Sequence, residues 1–241
     1  MTRAVVVTGA AGGIGAALCE RMRNDGYVAI GIDREPSTAA DVAITFDLRE
    51  SEQLVELGAK LASDYELKSV VHNAAVQPIA GAGETSIGEW SDALQVNIIA
   101  IDMLVAGTRE SLAANDGSVV VVGSVHGRAT TGGVTAYAAT KAALEGWVRS
   151  AALDLGPRIR VNAVAPGAID TAKLREGFAR WGDQGAEERR AILRERTALR
   201  RIGEPTDVAG AVSFLIGDDA RFITGTVLTV DGGATARLGS E

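Results

Sequence analysis

The stretch "RAVVVTGAAGGIGAALCE", residues 3–20, decides the fold of this chain. It runs from an apolar, β-branched segment through a glycine-rich turn into a helical pattern, with Gly9, Gly13 and Gly15 spaced as GxxxGxG. Glycine permits positive φ and close approach of a ligand, and the first N–H groups of a helix attract an anion. No lysine follows the glycines as a P-loop requires. The stretch predicts a strand, turn and helix that bind a diphosphate, although the glycines could also serve only tight strand-to-helix packing.

Short apolar runs alternate with helical patterns along the rest of the chain. Strands are predicted at 3–7, 27–32, 42–46, 69–71, 118–123, 158–164 and 226–230, and helices near 14–25, 51–64, 88–114, 138–155, 172–197 and 205–217. Most strand runs are continuously apolar, which is typical of strands covered by helices on both faces. The alternation predicts an α/β, doubly wound Rossmann fold whose seven-stranded parallel sheet is flanked by helices on both faces. With no repeat or linker, residues 1–241 are predicted to form one domain.

Composition excludes several classes of function. The 241 residues are 46% hydrophobic and carry a net charge of −7, so the chain lacks the basic footprint of a nucleic-acid-binding protein. No window approaches the ~18 apolar residues of a membrane span, and the start does not resemble a signal peptide, which favours a cytoplasmic location. The single cysteine, Cys19, excludes an intrachain disulfide and is expected in the core of the first helix. No residue cluster has the spacing of a metal site.

Asp33 ends the second predicted strand, twenty residues after Gly13. A carboxylate at this point can accept hydrogen bonds from both hydroxyls of an adenosine ribose. A 2′-phosphate would meet it as a like charge, although neighbouring Arg34 could offset part of the repulsion. Asp33 therefore favours NAD over NADP as the cofactor, and a carboxylate on an ordinary exposed turn is the alternative.

A second group of polar residues lies in "GSVHGRATTGGVTAYAATKAALEG", residues 123–146. Tyr137 and Lys141 are four residues apart on a predicted helix and so share a face, while Ser124 ends the preceding strand. A phenol has a pKa of about 10 and is a poor base at neutral pH unless a cation such as Lys141 favours its ionised form. Tyr137 could then take a proton from an alcohol, or return one to a ketone, while Ser124 holds the same oxygen. The pattern YxxxK alone is frequent by chance, so its surroundings must decide.

Those surroundings resemble the short-chain dehydrogenase/reductase family nearly from end to end. "TGAAGGIG" at 8–15 is similar to its cofactor turn, "FDL" at 46–48 to its adenine contact and "HNAA" at 72–75 to its "NNAG" element. "NAVAPGAIDT" at 162–171 resembles its nicotinamide-side motif and "ITGTVLTVDGG" at 223–233 its C-terminal strand, which in the family lies in a tetramer interface. The resemblance implies an NAD-dependent oxidoreductase that interconverts a secondary alcohol and a ketone by hydride transfer, assembled as a homotetramer.

The family's functional residues transfer to matching positions here. The resemblance implies a catalytic tetrad of Asn97, Ser124, Tyr137 and Lys141, in which Asn97 supports a water that links the lysine to solvent. It implies a cofactor site made of Gly9, Gly12, Gly13, Ile14, Gly15, Asp33, Asp47, Leu48, Asn73, Ala74, Tyr137, Lys141, Pro166, Gly167, Ile169 and Thr171. Ile169 would reach the carboxamide through its backbone and Thr171 through its hydroxyl. Ala75 departs from the family's usual glycine, and a slight backbone shift would accommodate its methyl group.

Substrate residues are less defined. "SVHG" and "NAAVQ" resemble the 3-hydroxybutyrate dehydrogenase branch, which implies that His126 and Gln77 hold a substrate carboxylate. That branch has a lysine where this chain has Val134, although Arg128 might replace the cation. Small 3-hydroxy acids, sugars, cyclic polyols and acyl-thioester ketones all stay open. His72 is expected to be a structural hydrogen-bonding residue at a strand end.

The charged segment 168–203 has two interpretations, a solvated helical face or a mobile lid over the substrate. Two other functions compete with the oxidoreductase. A regulatory protein that binds the cofactor without turnover would not need Tyr137 and Lys141 together. A dehydratase or epimerase of the extended fold is disfavoured, because 241 residues leave little room for a separate substrate domain.

Overall fold

A computed structural model describes residues 2–179 and 182–236 of the chain. Its strands are β1 (Arg3–Thr8), β2 (Val28–Asp33), β3 (Val42–Thr45), β4 (Glu66–His72), β5 (Ser118–Val122), β6 (Arg160–Pro166) and β7 (Val227–Val230). Its α-helices are α1 (Gly13–Asn24), α2 (Ser51–Asp64), α3 (Ile87–Leu94), α4 (Ala100–Ala114), α5 (Thr135–Leu155), α6 (Ala172–Ala179), α7 (Gly182–Arg196) and α8 (Pro205–Ile216). A π-helical turn, Gln95–Ile99, joins α3 to α4.

All seven strands are parallel, in the order β3-β2-β1-β4-β5-β6-β7. The chain leaves β1 toward β2 on one side and returns to β4 on the other, so β1 and β4 flank the point where the winding reverses. Ligands of open parallel sheets bind outside the carboxyl ends of the strands at such a point. The predicted doubly wound Rossmann sheet is confirmed.

Alternate residues of β1 explain why its apolar run is unbroken. Val6 packs in a core with helices α2, α4 and α5, while Val5 and Val7 pack in a second core with α1 and α8. A strand covered on both faces must be apolar at every position. Cys19 lies in the second core, and burial raises the pKa of its thiol to about 11, which confirms the interpretation of this cysteine as a core residue.

Two predicted helices differ from the structure. The pattern at 88–114 predicts one helix, whereas the π-helical turn Gln95–Ile99 interrupts it. The pattern at 172–197 also predicts one helix, whereas the structure has α6 and α7, with 180–181 outside the described residues. The first difference bears directly on function, because π-helical turns are frequent at functional sites and this one carries Asn97.

Candidate functional site

The turn after β1 depends on glycine where the backbone is most crowded. Gly9 has a φ of +68°, and a Cβ there would lie 2.8 Å from the Cα of Ala74. A Cβ on Gly15 would lie 1.9 Å from the carbonyl oxygen of Gly9. Gly9 is required both for its positive φ and for the space that a Cβ would fill, whereas Gly15 is required for space alone. Together they bring the start of α1 against the end of β1.

The N-terminus of α1 is open to an anion. Gly12 is its N-cap, its first turn contains no acidic residue, and no side chain of the described residues caps it. Helices ordinarily satisfy their first N–H groups with a capping side chain, a water or a ligand. The N–H groups of Gly13, Ile14 and Gly15 therefore suit the diphosphate of a dinucleotide, and this end of the helix fits such a cofactor.

Thr8 ties this turn to the end of β4. Its hydroxyl oxygen accepts the backbone N–H groups of Asn73 and Ala74, each at 3.1 Å. The Asn73 amide donates in return to the carbonyl oxygens of Thr8 and Gly9, at 3.2 and 3.0 Å. The predicted contacts Asn73 and Ala74 thus stand beside the glycine turn. Ala75 is not strained, because Asp116 and Arg200 are the non-glycine residues with positive φ in the described part of the chain.

Asp33 lies at the end of β2, next to the turn. Its carboxylate accepts the N–H of Ala11 at 3.0 Å and that of Glu35 at 3.2 Å. These bonds fix the carboxylate at the outer edge of the turn, where an adenosine ribose bound along α1 would reach it.

Asp47 forms an ion pair with Arg49 that the sequence did not suggest. Arg49 donates to both of its carboxylate oxygens from Nε, at 3.1 Å each, and this hydrogen bonding keeps the pKa of Asp47 below its usual value. Leu48 is buried in the core beside it. An adenine would therefore meet an ionised carboxylate that is already engaged with Arg49.

The catalytic candidates meet at the carboxyl ends of β5 and the start of α5. Ser124 follows β5, and its hydroxyl accepts the N–H of His126 at 3.2 Å. The Ser124 side chain is near enough to Tyr137 to act to lower the pKa of the phenol. Lys141 is one helical turn after Tyr137, and its Nζ lies 5.6 Å from the centroid of the Tyr137 ring. The three side chains that the sequence pattern grouped do form one cluster.

Burial dominates the ionisation of this cluster. The Nζ of Lys141 donates to the carbonyl oxygen of Val122 at 2.9 Å in an environment without solvent. Burial, helped by the charge of Lys173, lowers the pKa of Lys141 to about 7. Burial also raises the pKa of Tyr137, and the nearby Ser124 side chain opposes it. Without a bound cofactor, burial is the main influence on the pKa of Tyr137; the expected help of Lys141 and a positive nicotinamide ring in ionising the phenol stays a prediction.

Asn97 is fully buried in the π-helical turn, and its side-chain amide forms three hydrogen bonds. Its Oδ1 accepts the N–H of Val76 at 2.9 Å, and its Nδ2 donates to the Val76 carbonyl at 3.0 Å and to Thr140 Oγ1 at 2.9 Å. Thr140 immediately precedes Lys141. The amide thus joins the segment after β4 to helix α5.

The end of β6 closes the site from the other side. Pro166 is its last residue, and Gly167 donates its N–H to Val230 at 3.0 Å. Ile169 is buried and forms a bridge with Gly203. Thr171 then approaches the turn after β1, since a Cβ on Gly13 would lie 3.1 Å from its Cγ2. The nicotinamide-side motif and the glycine turn are therefore in contact.

The two candidate substrate residues flank Tyr137 differently. The His126 ring packs edge-on against the Tyr137 ring, with centroids 5.8 Å apart, and its Nδ1 lies 2.8 Å from Thr130 Oγ1. Gln77 is half-buried in the segment after β4, which reaches the start of α5 through a bridge between Ala80 and Val134. His126 adjoins Tyr137, whereas the Gln77 segment is held to the site through this bridge and through the hydrogen bonds of Val76 with Asn97.

Arg128 is already paired. Its Nε donates to Glu145 Oε2 at 2.8 Å, and that carboxylate is largely buried on α5. Val134, at the position where the 3-hydroxybutyrate branch has lysine, is buried. The expectation that Arg128 might replace the missing cation is not supported, because its charge is neutralised by Glu145.

Within the described residues, no group of three or more histidine, cysteine, aspartate or glutamate side chains could hold a metal ion. In the same ranges, the helices are too short or too polar to cross a membrane.

Comparison with known proteins decides the family. A family model described as Enoyl-(Acyl carrier protein) reductase matches residues 9–235. Human "Dehydrogenase/reductase SDR family member 4" is 33% identical over 256 residues, covering 98% of this chain and 88% of that protein. The chain belongs to the short-chain dehydrogenase/reductase family, and it is therefore an oxidoreductase by family.

Solved structures agree with the fold of this short-chain dehydrogenase/reductase. The ligand-free aldohexose dehydrogenase of Thermoplasma acidophilum has a TM-score of 0.94 and 31% identity, covering 100% of this chain and 97% of its own. A Beutenbergia cavernae chain that was solved with NADP at low occupancy has a TM-score of 0.88 and 31% identity, with coverage of 98% and 97%.

Several residues of the site of this short-chain dehydrogenase/reductase were not predicted from its sequence. Thr8 and Thr140 supply hydroxyls that join the glycine turn to β4 and Asn97 to α5. Thr8 lies in the glycine-rich motif at 8–15 and Thr140 in the stretch 123–146. Nothing in the sequence shows which groups their hydroxyls hydrogen-bond. Arg49 follows "FDL" directly, where a basic residue two positions after an aspartate is too common to be a signal.

Proposed function

We propose that this protein is an NAD-dependent oxidoreductase that interconverts a secondary alcohol and a ketone, with Tyr137 as the general acid and base. One observation carries the proposal. Tyr137, near Ser124 and beside Lys141, lies at the same edge of the sheet as the uncapped N-terminus of α1. An anion-binding turn next to a phenol with an adjacent cation suits transfer of a hydride and a proton between cofactor and substrate.

Bound NAD would accept hydride when an alcohol is oxidised, and bound NADH would donate it when a ketone is reduced; the residues of the chain handle the proton. Tyr137 exchanges a proton with the substrate oxygen, and the Ser124 hydroxyl hydrogen-bonds the same oxygen. Lys141, with a pKa of about 7, can hold or release a proton near neutrality beside the Tyr137 ring. Because burial raises the pKa of Tyr137, its neutral form predominates at neutral pH and is ready to protonate the oxygen of a ketone.

The assignment of NAD rests on Asp33, whose carboxylate is fixed at the edge of the turn. We expect NAD to bind more tightly than NADP, because a 2′-phosphate would lie against this charge. Replacing Asp33 by Ser should weaken NAD binding about tenfold and narrow the difference between the two cofactors, since one or two charge-assisted hydrogen bonds are lost. Fluorescence titration with NADH and NADPH measures both affinities. Unchanged NADH affinity in Asp33→Ser would remove the basis for preferring NAD.

The substrate is proposed to be a sugar, a polyol or a small hydroxy acid. The first two classes are favoured over an anion, because Val134 is apolar and Arg128 is paired with Glu145, so neither offers a free cation to a carboxylate. The structural relative from Thermoplasma is an aldohexose dehydrogenase, which points in the same direction. His126 is proposed to contact the substrate next to Tyr137, and Gln77 remains a second candidate contact.

Residues 168–203 are proposed to form the lid of a single Rossmann domain spanning 1–241. The two ends of the segment are joined, since Asp170 donates its N–H to Gly203 at 2.8 Å and Gly203 donates to Ala168 at 3.0 Å. Asp170 also pairs with Arg175 on α6 at 3.0 Å and Arg190 on α7 at 2.9 Å. Such a closed base allows the helices to move as one unit over the site.

A homotetramer is proposed as the assembly. β7 lies at the edge of the sheet, and the apolar side chains of Phe222 and Leu228 near it are exposed, Phe222 completely. An exposed edge strand with apolar neighbours is usually covered by another chain. Light scattering on the wild type and Phe222→Ser should show four subunits in the first and smaller species in the second.

Turnover tests the proposed function. NAD is supplied with a panel of sugars, cyclic polyols, 3-hydroxy acids and simple secondary alcohols, and absorbance of reduced nicotinamide is recorded. We expect turnover with at least one class, lost in Tyr137→Phe and retained in the control Tyr65→Phe, which removes a hydroxyl outside the site. Equal turnover in both variants would refute the role of Tyr137.

The alternative function is a regulatory protein that binds NAD(H) without turnover. The same preparation distinguishes it, because NADH binding is measured separately by fluorescence. Tight NADH binding together with no turnover across the panel would favour the regulatory protein over the enzyme.

A further inference from the structure

Helices α6 and α7 lie beside the cofactor turn without a hydrophobic core of their own. None of their described residues is buried, and among the described elements they pack mainly on each other rather than on the sheet. Burial of apolar side chains therefore contributes little of the free energy that fixes these two helices. Their position depends on the polar bonds at their base, and Asp170 is at the centre of these bonds.

The backbone of Asp170 belongs to the rigid body of the protein. Its N–H donates to the carbonyl oxygen of Gly203 at 2.8 Å. The preceding residue, Ile169, is buried and pairs with Gly203 in an isolated bridge, three residues after Pro166 ends β6. Asp170 thus stands where the sheet ends and the two helices begin.

Each oxygen of the Asp170 carboxylate pairs with a different helix. Oδ1 accepts from Arg175 Nη1 of α6 at 3.0 Å, and Oδ2 accepts from Arg190 Nη2 of α7 at 2.9 Å. The side chains of Asp170 and Arg190 are 32% and 25% exposed, so water and salt screen this pair less than a fully exposed one. One carboxylate therefore joins both helices to the end of β6.

The residue after Asp170 connects the same base to the cofactor turn. The Thr171 hydroxyl accepts the N–H of Leu174 at 3.3 Å, in the manner of a helix N-cap, and Thr171 Cγ2 would lie 3.1 Å from a Cβ on Gly13. A hydroxyl that accepts one N–H still has its own hydrogen to donate to a ligand. A change in the orientation of α6 would therefore move a donor that lies at the uncapped N-terminus of α1.

We propose that Asp170 is a positioning residue: its carboxylate holds α6 and α7 in their arrangement beside Thr171 and the cofactor turn. Loss of the charge frees both helices, because Arg175 and Arg190 share it. The effect of Asp170 on the two helices is independent of the proposed function, whereas its effect on substrate binding rests on that function.

Hydrogen exchange of the intact protein measures how firmly the helices are held. Asp170→Asn keeps the shape of the side chain and removes its charge. The matched control Glu187→Gln also removes a carboxylate that pairs with an arginine of α7, but that pair, with Arg194, lies within the helix itself. We expect amides of α6 and α7 to exchange about tenfold faster in Asp170→Asn and close to the wild-type rate in Glu187→Gln. The central strands should exchange at the wild-type rate in both variants.

Two results would overturn the proposal. The first is unchanged exchange of α6 and α7 in Asp170→Asn. The second is equally faster exchange in the central strands, because Asp170 would then support the whole fold rather than the two helices. Salt gives an independent measure: raising NaCl from about 0.05 to 0.5 M should speed exchange of the helices in the wild type and less in Asp170→Asn, since salt screens the pairs. Equal salt responses would contradict the proposed role of the carboxylate.

Arg190→Gln tests the pair from the other side and does not depend on the folding of Asp170→Asn. We expect α7 to exchange faster in Arg190→Gln than in Glu187→Gln, and equal exchange would refute the pair. In the double variant Asp170→Asn/Arg190→Gln, exchange of α7 should be close to that of Asp170→Asn, because both changes remove the same bond. Effects that multiply would show that the two residues act separately, against the proposal.

Turnover measures the consequence for the site. With a substrate found in the panel, Asp170→Asn should raise KM about tenfold and change kcat by less than about threefold, because Ser124 and Tyr137 lie outside the two helices. A fall in kcat at constant KM would contradict the positioning of the helices for substrate binding. Absence of turnover in the wild type would overturn the proposed function, and the exchange rates would still decide whether Asp170 positions the helices.

Discussion

The acid sensitivity of this protein follows from the burial of His72. The folded-state pKa is about 3, against 6.5 for the unfolded chain. Because the unfolded state binds the proton more readily, the contribution of His72 to the free energy of unfolding is at its maximum above about pH 6.5. It falls as the pH decreases toward 3. At pH 5 the unfolded ring is almost fully protonated and the folded ring is not. The contribution of His72 to the free energy of unfolding is therefore about 2 kcal/mol smaller at pH 5 than at pH 8, because it falls by about 1.4 kcal/mol for each pH unit below 6.5.

Urea unfolding of the wild type and His72→Gln, at about pH 8 and about pH 5, measures this quantity. The glutamine variant changes stability at both values, so the decisive quantity is the difference between the two pH values within each protein. Lys141, whose folded-state pKa is about 7, adds a slope of the same sign between pH 7 and 8. This contribution cancels in the comparison because wild type and His72→Gln both retain Lys141, and carboxylates act mainly below pH 5. His126 acts in the same direction, since burial lowers its pKa, and His126→Gln measures its share.

We expect the wild type to lose about 2 kcal/mol more than His72→Gln between the two pH values. One protein concentration must be used throughout, because subunit association also contributes to stability. Equal losses in wild type and His72→Gln would show that His72 is protonated or solvated in the folded state, and the reasoning would fail.

Two further predictions use matched controls. Gly9→Ala should lose NADH binding and at least about 2 kcal/mol of stability, because the new methyl group clashes with Ala74 and φ is unfavourable for alanine. The control Gly26→Ala has the same positive φ, but no neighbouring atom lies within 4 Å of the new methyl group. Equal losses of stability in the two variants, measured by calorimetry, would refute the steric argument. Thr140→Val should lower the free energy of unfolding by about 1–3 kcal/mol and reduce kcat, because it removes the acceptor of Asn97 Nδ2. The control Thr108→Val removes only a hydrogen bond to Leu104 within its own helix and should leave kcat unchanged.

The sheet was predictable because its physical cause lies in local sequence. Strands buried on both faces need unbroken apolar runs, and each predicted run overlaps an observed strand, with ends that differ by two residues at β6. β4 was the least complete, predicted at 69–71 and observed as Glu66–His72. Its first residues include Lys68, which is buried but sends its Nζ to the carbonyl oxygen of Asp116 at 3.2 Å, a bond that no local pattern shows.

The helices show where local pattern is insufficient. The π-helical turn Gln95–Ile99 leaves the apolar pattern of 88–114 readable as one helix, because the added residue changes hydrogen bonds rather than composition. Its presence depends on Asn97 binding Val76 and Thr140, which come from distant parts of the chain. Long-range bonds of this kind cannot be derived from spacing.

The catalytic cluster was predictable in membership but not in ionisation. The spacing of Tyr137 and Lys141 on one helix and the place of Ser124 after a strand brought all three together, as predicted. The sequence suggested that Lys141, together with the positive nicotinamide ring of an oxidised cofactor, could favour the ionised phenol. The structure shows both groups desolvated, and the extent of burial depends on the packing of the whole site rather than on any pair of residues.

The central claim is that hydride passes directly between substrate and cofactor in the site at Tyr137. The measurement that tests it most directly uses an alcohol found in the turnover panel, deuterated at its carbinol carbon, with NAD in ordinary water. Mass spectrometry of the reduced cofactor should show one deuterium per molecule, formed by wild type and Tyr65→Phe and not by Tyr137→Phe. Reduced cofactor that carries hydrogen from solvent, or deuterium transfer that persists in Tyr137→Phe, would contradict the account.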